Sequence, residues 1–218
     1  MGKNILVVAA TAKEIDPFIT LTRTGQFTNV DILISGIGLT ASTYHLSKQL
    51  ALKKYDLVIQ AGVAGSFDLT ISLGQVVAVK QDTISDQSVV ELEKLKTLFD
   101  LDLVPQDLYP YKKGWLINPN KEILKKAKLK IVNGVSVNQI STSKQMIRFY
   151  RERFDPVTES MEGAALHYVC LMENVPFLQI RSISNYIGER NKENWNMMDS
   201  IVNLNNKLFQ IIKILNAQ

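Results

Sequence analysis

The chain predicts an α/β fold built on a mostly parallel central sheet, and three observations carry that expectation. Short apolar runs alternate along the sequence with segments of helical period. The apolar runs are rich in Val, Ile and Leu with few polar interruptions, as strands covered on both faces are. Most strands are followed by a helix, and a strand–helix–strand rhythm places strands parallel because the helix carries the chain back. Residues 4–10 form the first such strand, and 13–20 the helix after it. Residues 30–35 and 40–53 repeat the pair, with a glycine-rich turn between them. Strands follow at 56–61 and 74–79. Residues 92–115 fit neither period and are left unassigned. A helix at 120–128 has a lysine-rich wet face, marked off by Ile123, Leu124, Ala127 and Leu129. The strand at 130–137, the helix at 143–154 and a helix at 160–174 come next, the last closed by Asn174-Val175-Pro176. A strand at 177–184 and a helix at 199–215 complete the pattern.

Composition narrows the class of function. A length of 218 residues suits one domain spanning 1–218, with a sizeable core. The net charge of +4 is spread along the chain, and its densest run, Lys121 to Lys130, is the helix face just described. No nucleic-acid-binding signature accompanies it, so no nucleic-acid partner is expected. Cys170 is the only cysteine, which excludes an intrachain disulfide and fits a reducing compartment. The apolar run from Ile5 to Ala10 is too short to cross a bilayer. Met1-Gly2 lacks the Ser or Thr of a myristoylation site, Leu6 standing in that place. A cytoplasmic protein without a membrane partner is the expectation. His45 and His167 lie in helical patterns without ligand spacing, and one cysteine makes no zinc site, so neither metal nor cofactor is expected.

In folds of this kind ligands sit beyond the carboxyl ends of the strands, so the informative residues lie where strands stop. Ser35-Gly36-Ile37-Gly38 follows a strand and opens a helix, where glycine lets backbone amides approach an oxyanion. It is not a dinucleotide fingerprint, because Ser42 stands where the third glycine is wanted, and a tight turn alone would look the same. Gln60-Ala61-Gly62-Val63-Ala64-Gly65-Ser66 repeats the pattern at the next strand exit. In Thr158-Glu159-Ser160-Met161-Glu162-Gly163-Ala164-Ala165, Glu162 falls near a helix start, where a carboxylate is stable and can grip a vicinal diol. The same residue could serve only the helix dipole. Ser184 and Asn185 are polar groups delivered to the carboxyl edge of the sheet, although an Asn there also suits a turn.

These segments occur in the order seen in the nucleoside phosphorylase/nucleosidase superfamily. The chain resembles the methylthioadenosine/adenosylhomocysteine nucleosidases over nearly its whole length. Its tail Ser184-Asn185-Tyr186-Ile187-Gly188-Glu189-Arg190, with Trp195 after it, resembles the futalosine hydrolases. The resemblance implies a single-domain, three-layer α/β/α fold with a mixed, mostly parallel sheet. It also implies cleavage of the bond between ribose C1′ and a purine nitrogen, here releasing hypoxanthine from futalosine toward menaquinone. Glu14 stands where these enzymes carry the water-activating carboxylate, though a helix-start charge beside Lys13 would look alike. Glu162 matches the glutamate that holds the ribose hydroxyls, with Met161 beneath the sugar. Asn185 departs from the aspartate of the adenine-releasing enzymes, and an amide suits a 6-oxopurine. Ser184 would orient Asn185, while Gly38, Ala64, Gly65, Gln139 and Ile140 fall among the implied substrate contacts. Ser160 replaces a glutamate of the family, so that residue's contacts are not carried over. The loop after Gly38 has no arginine for phosphate, which favours water as nucleophile. A homodimer or higher homo-oligomer is also implied. The rival readings are another purine nucleosidase or a phosphorylase, and a purine-nucleoside-binding protein without catalysis.

Overall fold

A computed structural model describes residues 2–25 and 27–216. Its core is one sheet in which five strand pairings are parallel and three antiparallel. The strands are β1 (Ile5–Ala9), β2 (Val30–Ile34), β3 (Leu57–Ser66), β4 (Val76–Asp82), β7 (Leu116–Ile117), β8 (Lys130–Ser136), β9 (Thr158–Ser160) and β10 (Phe177–Tyr186). β5 (Ser88–Glu91) and β6 (Lys94–Thr97) form a separate hairpin. In the main sheet β2, β1, β3 and β10 lie side by side and run parallel. β10 continues antiparallel to β4, β4 parallel to β8, β8 parallel to β9, and β9 antiparallel back to β3. The pairings therefore close a ring, β3–β10–β4–β8–β9, and the open end of that ring is where the candidate site lies.

Side-chain alternation along a strand sends successive residues to opposite faces, and each face is covered by helices. Ile5, Val7 and Ala9 of β1 pack with α1 (Ala12–Arg23), α3 (Lys121–Lys126) and α6 (Met197–Asn216) through Ile15, Phe18, Leu124, Leu204 and Leu208. Leu6 and Val8 pack on the opposite side with α2 (Leu39–Leu52) and α5 (Gly163–Met172) through Leu46, Leu50, Leu166 and Val169. The result is the three-layer α/β/α arrangement with a mixed, mostly parallel sheet. α4 (Lys144–Phe154) lies beside the hairpin, where Phe149, Tyr150 and Phe154 bury Leu95. Among the described residues no helix is long and apolar enough to cross a membrane.

Three local features depart from the sequence reading. The glycine-rich segment at residues 62–66 is strand rather than loop, because β3 runs on to Ser66 and β10 beside it to Tyr186. Glycine keeps that strand thin where other groups press against it: a Cβ at Gly62 would fall on Arg181 Nη1, and one at Gly65 on Ile187 Cδ1. Residues 158–160 are a short strand, and the helix after them starts only at Gly163, with Glu162 as its N-cap. The unassigned segment begins as the end of the β5–β6 hairpin, turning at Leu92 and Glu93 with φ of 49° and 59°. Such a turn usually advertises itself by Asn or Gly, which is absent here.

Candidate active site

The first turn of α1 is distorted, and the distortion aims Glu14. Pro17 has no N–H to give, and Ile15 leaves helical geometry at φ −125°, ψ 19°. In a regular helix Phe18 N–H would bond the Glu14 carbonyl. Here the buried amide of Asn205, from α6, stands between them. Phe18 N–H donates to Asn205 Oδ1 at 3.0 Å, and Asn205 Nδ2 donates to Glu14 O at 2.8 Å. The Glu14 carboxylate is then held from two sides. Its Oε2 accepts from Thr11 N–H at 3.0 Å and Thr11 Oγ1 at 3.1 Å, and its Oε1 accepts from Val63 N–H at 3.1 Å.

Glu162 is held across the cavity from another set of elements. Its Oε1 accepts from Gly38 N–H at 3.0 Å, and its Oε2 lies 3.6 Å from Arg181 Nη1. Gly38 adopts φ 91°, ψ 163°, a conformation open only to glycine, and this turns its N–H toward the carboxylate. Burial pushes the Glu162 carboxyl above its usual range, opposed by Arg181 and by the Gly38 N–H, and Glu14 adds to the upward push. Arg181 is buried, and its Nη2 donates to Gln60 Oε1 at 2.7 Å. Sequence reasoning gave Arg181 and Gln60 no role. The signal was there: an arginine inside an apolar strand run has to be paired in the folded state.

Asn185 sits on β10 just past a β-bulge, a device that re-aims a side chain. Its amide orientation is fixed by chemistry. Asn185 Nδ2 donates to Tyr186 O at 3.1 Å, a partner that can only accept. Oδ1 therefore faces Ser184 Oγ, which donates to it at 3.0 Å. One Nδ2 hydrogen remains for a ligand.

These groups share one cavity of about 410 Å³. Glu14, Ala64, Gly65, Ile140, Met161, Glu162, Ser184 and Asn185 all line it, together with the apolar Val137, Ile187, Trp195 and Ile201. Two residues named from the sequence do not. Gly38 lies behind Glu162, so the oxyanion met by this helix start is the protein's own carboxylate. Gln139 is exposed, its N–H donates to Asp86 Oδ2 at 3.2 Å, and it borders a separate groove. Glu159, which the sequence reading passed over, does line the cavity. Its Oε1 accepts from Ser141 N–H at 3.0 Å, and burial pushes its carboxyl above the usual range. Both histidines serve backbone carbonyls: His167 Nδ1 meets Leu116 O at 2.8 Å, and His45 Nδ1 meets Ser35 O at 2.9 Å.

Behind the cavity a buried polar cluster fixes the start of α5. Ser136 Oγ donates to Asp82 Oδ1 at 2.9 Å and accepts from Ala164 N–H at 2.8 Å, while Gln179 Nε2 donates to Asp82 Oδ2 at 3.2 Å. Burial pushes Asp82 up to about 6. Gly163 is required here, because a Cβ would fall on Asp82 Oδ2 and Gln179 Nε2.

The model of the phosphorylase superfamily matches residues 8–216, which include every element that lines the cavity. The chain belongs to that superfamily. Within it, the chain is 26% identical over 175 residues to a 5'-methylthioadenosine/S-adenosylhomocysteine nucleosidase of Maridesulfovibrio salexigens, covering 76% of this chain and 73% of that one. It is 25% identical over 193 residues to a futalosine hydrolase of Streptomyces coelicolor, covering 86% and 80%. Among solved structures, this superfamily member resembles a Helicobacter pylori methylthioadenosine nucleosidase mutant with 5'-methylthioadenosine in its active site. That match has a TM-score of 0.81 at 23% identity, covering 98% and 99%. It also resembles a futalosine hydrolase mutant of Helicobacter pylori, with a TM-score of 0.78 at 22% identity and coverage of 97% and 99%. At those identities the structural likeness establishes the fold.

Proposed function

We propose that the protein is a purine-nucleoside N-ribosyl hydrolase that releases hypoxanthine from futalosine, a step toward menaquinone. The observation that carries the reading is the convergence of Glu14, Glu162 and Asn185 on one largely apolar cavity. Cleavage of a ribosyl–purine bond separates charge, leaving an oxocarbenium-like sugar and an anionic base, so a catalyst needs a group for each end and a nucleophile. Glu14 takes the proton from water as the oxygen attacks C1′. Glu162 holds the ribose hydroxyls and places its negative charge beside the cationic sugar. Met161 packs beneath the ring. Asn185 cannot deliver a titratable proton, but its remaining N–H stabilises negative charge growing at purine N7.

That donor favours a 6-oxopurine, which leaves as the more stable anion without being protonated. The methylthioadenosine nucleosidase among the relatives is the natural rival, and it would put a 6-aminopurine in the same place. Water is the nucleophile in this reading because the arginine nearest the site, Arg181, is already committed to Gln60 and Glu162. The experiment is incubation of the pure protein with futalosine, inosine and methylthioadenosine, with and without phosphate, while free base is measured. Hypoxanthine released from futalosine without phosphate is expected. Release of adenine alone, or an absolute need for phosphate, refutes the reading.

The same proposal includes a homodimer or larger homo-oligomer. It is supported by Ile37, an apolar residue of the cavity rim that is left exposed in the single chain. A fully active, concentration-independent monomer in light scattering refutes it.

A further inference from the structure

Three strands lie abreast at the floor of the cavity. Glu159 of β9 pairs with Gly65 of β3, and Gly65 pairs with Asn185 of β10. Paired residues project to the same face, so Glu159 and Asn185 flank Gly65 in one row, with their Cα atoms about 9–10 Å apart by strand spacing. Gly65 has no side chain, and Ile187 Cδ1 takes the place its Cβ would occupy, giving a low apolar floor between two polar walls. Asn185 offers one N–H from the first wall.

Glu159 forms the second wall and is only 5% exposed. Its Oε1 is held by Ser141 N–H, and its Oε2 is buried with no hydrogen-bond partner among the described residues. A buried carboxylate oxygen without a partner is costly, so a ligand group that reaches and satisfies it binds with an advantage. A purine carries N7 and N1 on opposite sides of its C6 substituent, so a base lying over Gly65 turns one of these edges to each wall.

We infer that Glu159 reads the far edge of the base, its Oε2 accepting the N1–H of a 6-oxopurine while Asn185 donates to N7. A 6-aminopurine carries a lone pair at N1 and meets that oxygen with no hydrogen. Asn185 meets the same N7 acceptor in either purine, so Glu159 is the residue that distinguishes the N1 protonation pattern. This inference rests on the purine-nucleosidase reading above.

The test is E159Q. Because Ser141 N–H keeps an oxygen on its side, the substituted amide turns its NH2 into the cavity where Oε2 stood. Two quantities are measured on wild type and variant. One is kcat/KM for futalosine against its 6-amino counterpart, and the other is calorimetric binding of free hypoxanthine against adenine. We expect the oxo-to-amino ratio to fall by about tenfold or more in both, since the bare N1 of adenine now meets a donor. A role limited to holding the Ser141 loop would lower both substrates together and leave the ratio alone. An unchanged ratio in a wild type that does release hypoxanthine therefore overturns the assignment of Glu159 and leaves the hydrolase reading standing. A wild type that releases no base and binds neither purine overturns both.

Discussion

Substituting alanine at Gly62 adds a single methyl group between the two carboxylates of the site. The added Cβ would fall on Arg181 Nη1 and lie 3.0 Å from Glu14 Oε1. Ordinary contact between such atoms is about 3.5 Å, so the guanidinium has to retreat by about 1 Å. It cannot do so freely, because Nη2 is held by Gln60 at 2.7 Å and Nη1 faces Glu162 at 3.6 Å, all of them buried. Overpacking of this kind costs about 1–3 kcal/mol, which in a domain of this size lowers Tm by roughly 2–12 °C. The larger effect is on turnover. Glu14 and Glu162 are both displaced, and a misplacement of about 1 Å costs on the order of a hundredfold in rate. The assay is release of free base, coupled to xanthine oxidase, with a thermal melt of the same preparation. Gly65→Ala is the comparison, since its Cβ meets the movable end of Ile187 and comes within 3.3 Å of Asn185 Nδ2 but reaches neither Glu14 nor Glu162. That variant should keep kcat within roughly fivefold and lose mainly in KM, the base floor being raised while the carboxylates stay put. G62A within about twofold of wild type in kcat would refute the reasoning that the bare backbone at Gly62 keeps Arg181 and Glu14 in place.

Glu14→Gln should lower kcat by about 10²–10⁴-fold with little change in nucleoside affinity, because the amide keeps the shape and loses the base. Turnover like that of wild type in a single-turnover assay would remove Glu14 from that role. Glu162→Gln should weaken both binding and turnover, and also cost roughly 3 kcal/mol of stability by leaving Arg181 buried opposite a neutral group. A urea midpoint equal to that of wild type would contradict this. Asp82→Asn should raise stability above about pH 6, neutral pH included, and leave it unchanged below pH 3.8. Its folded-state value of about 6 lies above the ordinary 3.8, so the stabilisation is complete below 3.8 and lost as pH rises through 6. The gap of two units is worth about 3 kcal/mol. Glu159 and Glu162 are pushed the same way, so the quantity to plot is the difference between variant and wild type. A difference that stays flat from pH 4 to pH 8 would show that Asp82 is not the titrating group.

The parts of the fold that were legible in the sequence are those where burial is two-sided. β1 and β10 read as strands because every residue from Ile5 to Ala9 and from Phe177 to Ser184 is buried. β9 was not legible, since three residues carry no period and Thr158–Ser160 sits directly before a helix. The β5–β6 hairpin turns at Leu92 and Glu93, which have no turn chemistry to show. In the site, the residues found were those with a motif around them: Glu14, Met161, Glu162, Ser184 and Asn185. Gly38 was found with a different job in mind, and Gln139 lies outside the cavity because the loop turns it toward Asp86. Gln60, Glu159 and Arg181 were missed because their chemistry comes from burial between elements distant in sequence, as with Arg181 and Gln60, 121 residues apart.

The amide of Asn205 has a consequence for how the protein comes into being. The turn that carries Glu14 is completed by a residue 191 positions later, in the last helix. During synthesis Glu14 emerges near the beginning and its support arrives near the end, so the chain passes most of its translation without the turn that holds Glu14. Contacts that span so much sequence are also the slow ones to form, because the loop they close must be ordered first. In refolding, the sheet and its local helices should regain their circular dichroism before turnover returns. The first turn of α1 takes its final form only when α6 has docked and spliced its amide into it, and the proposed role of Glu14 ties activity to that step.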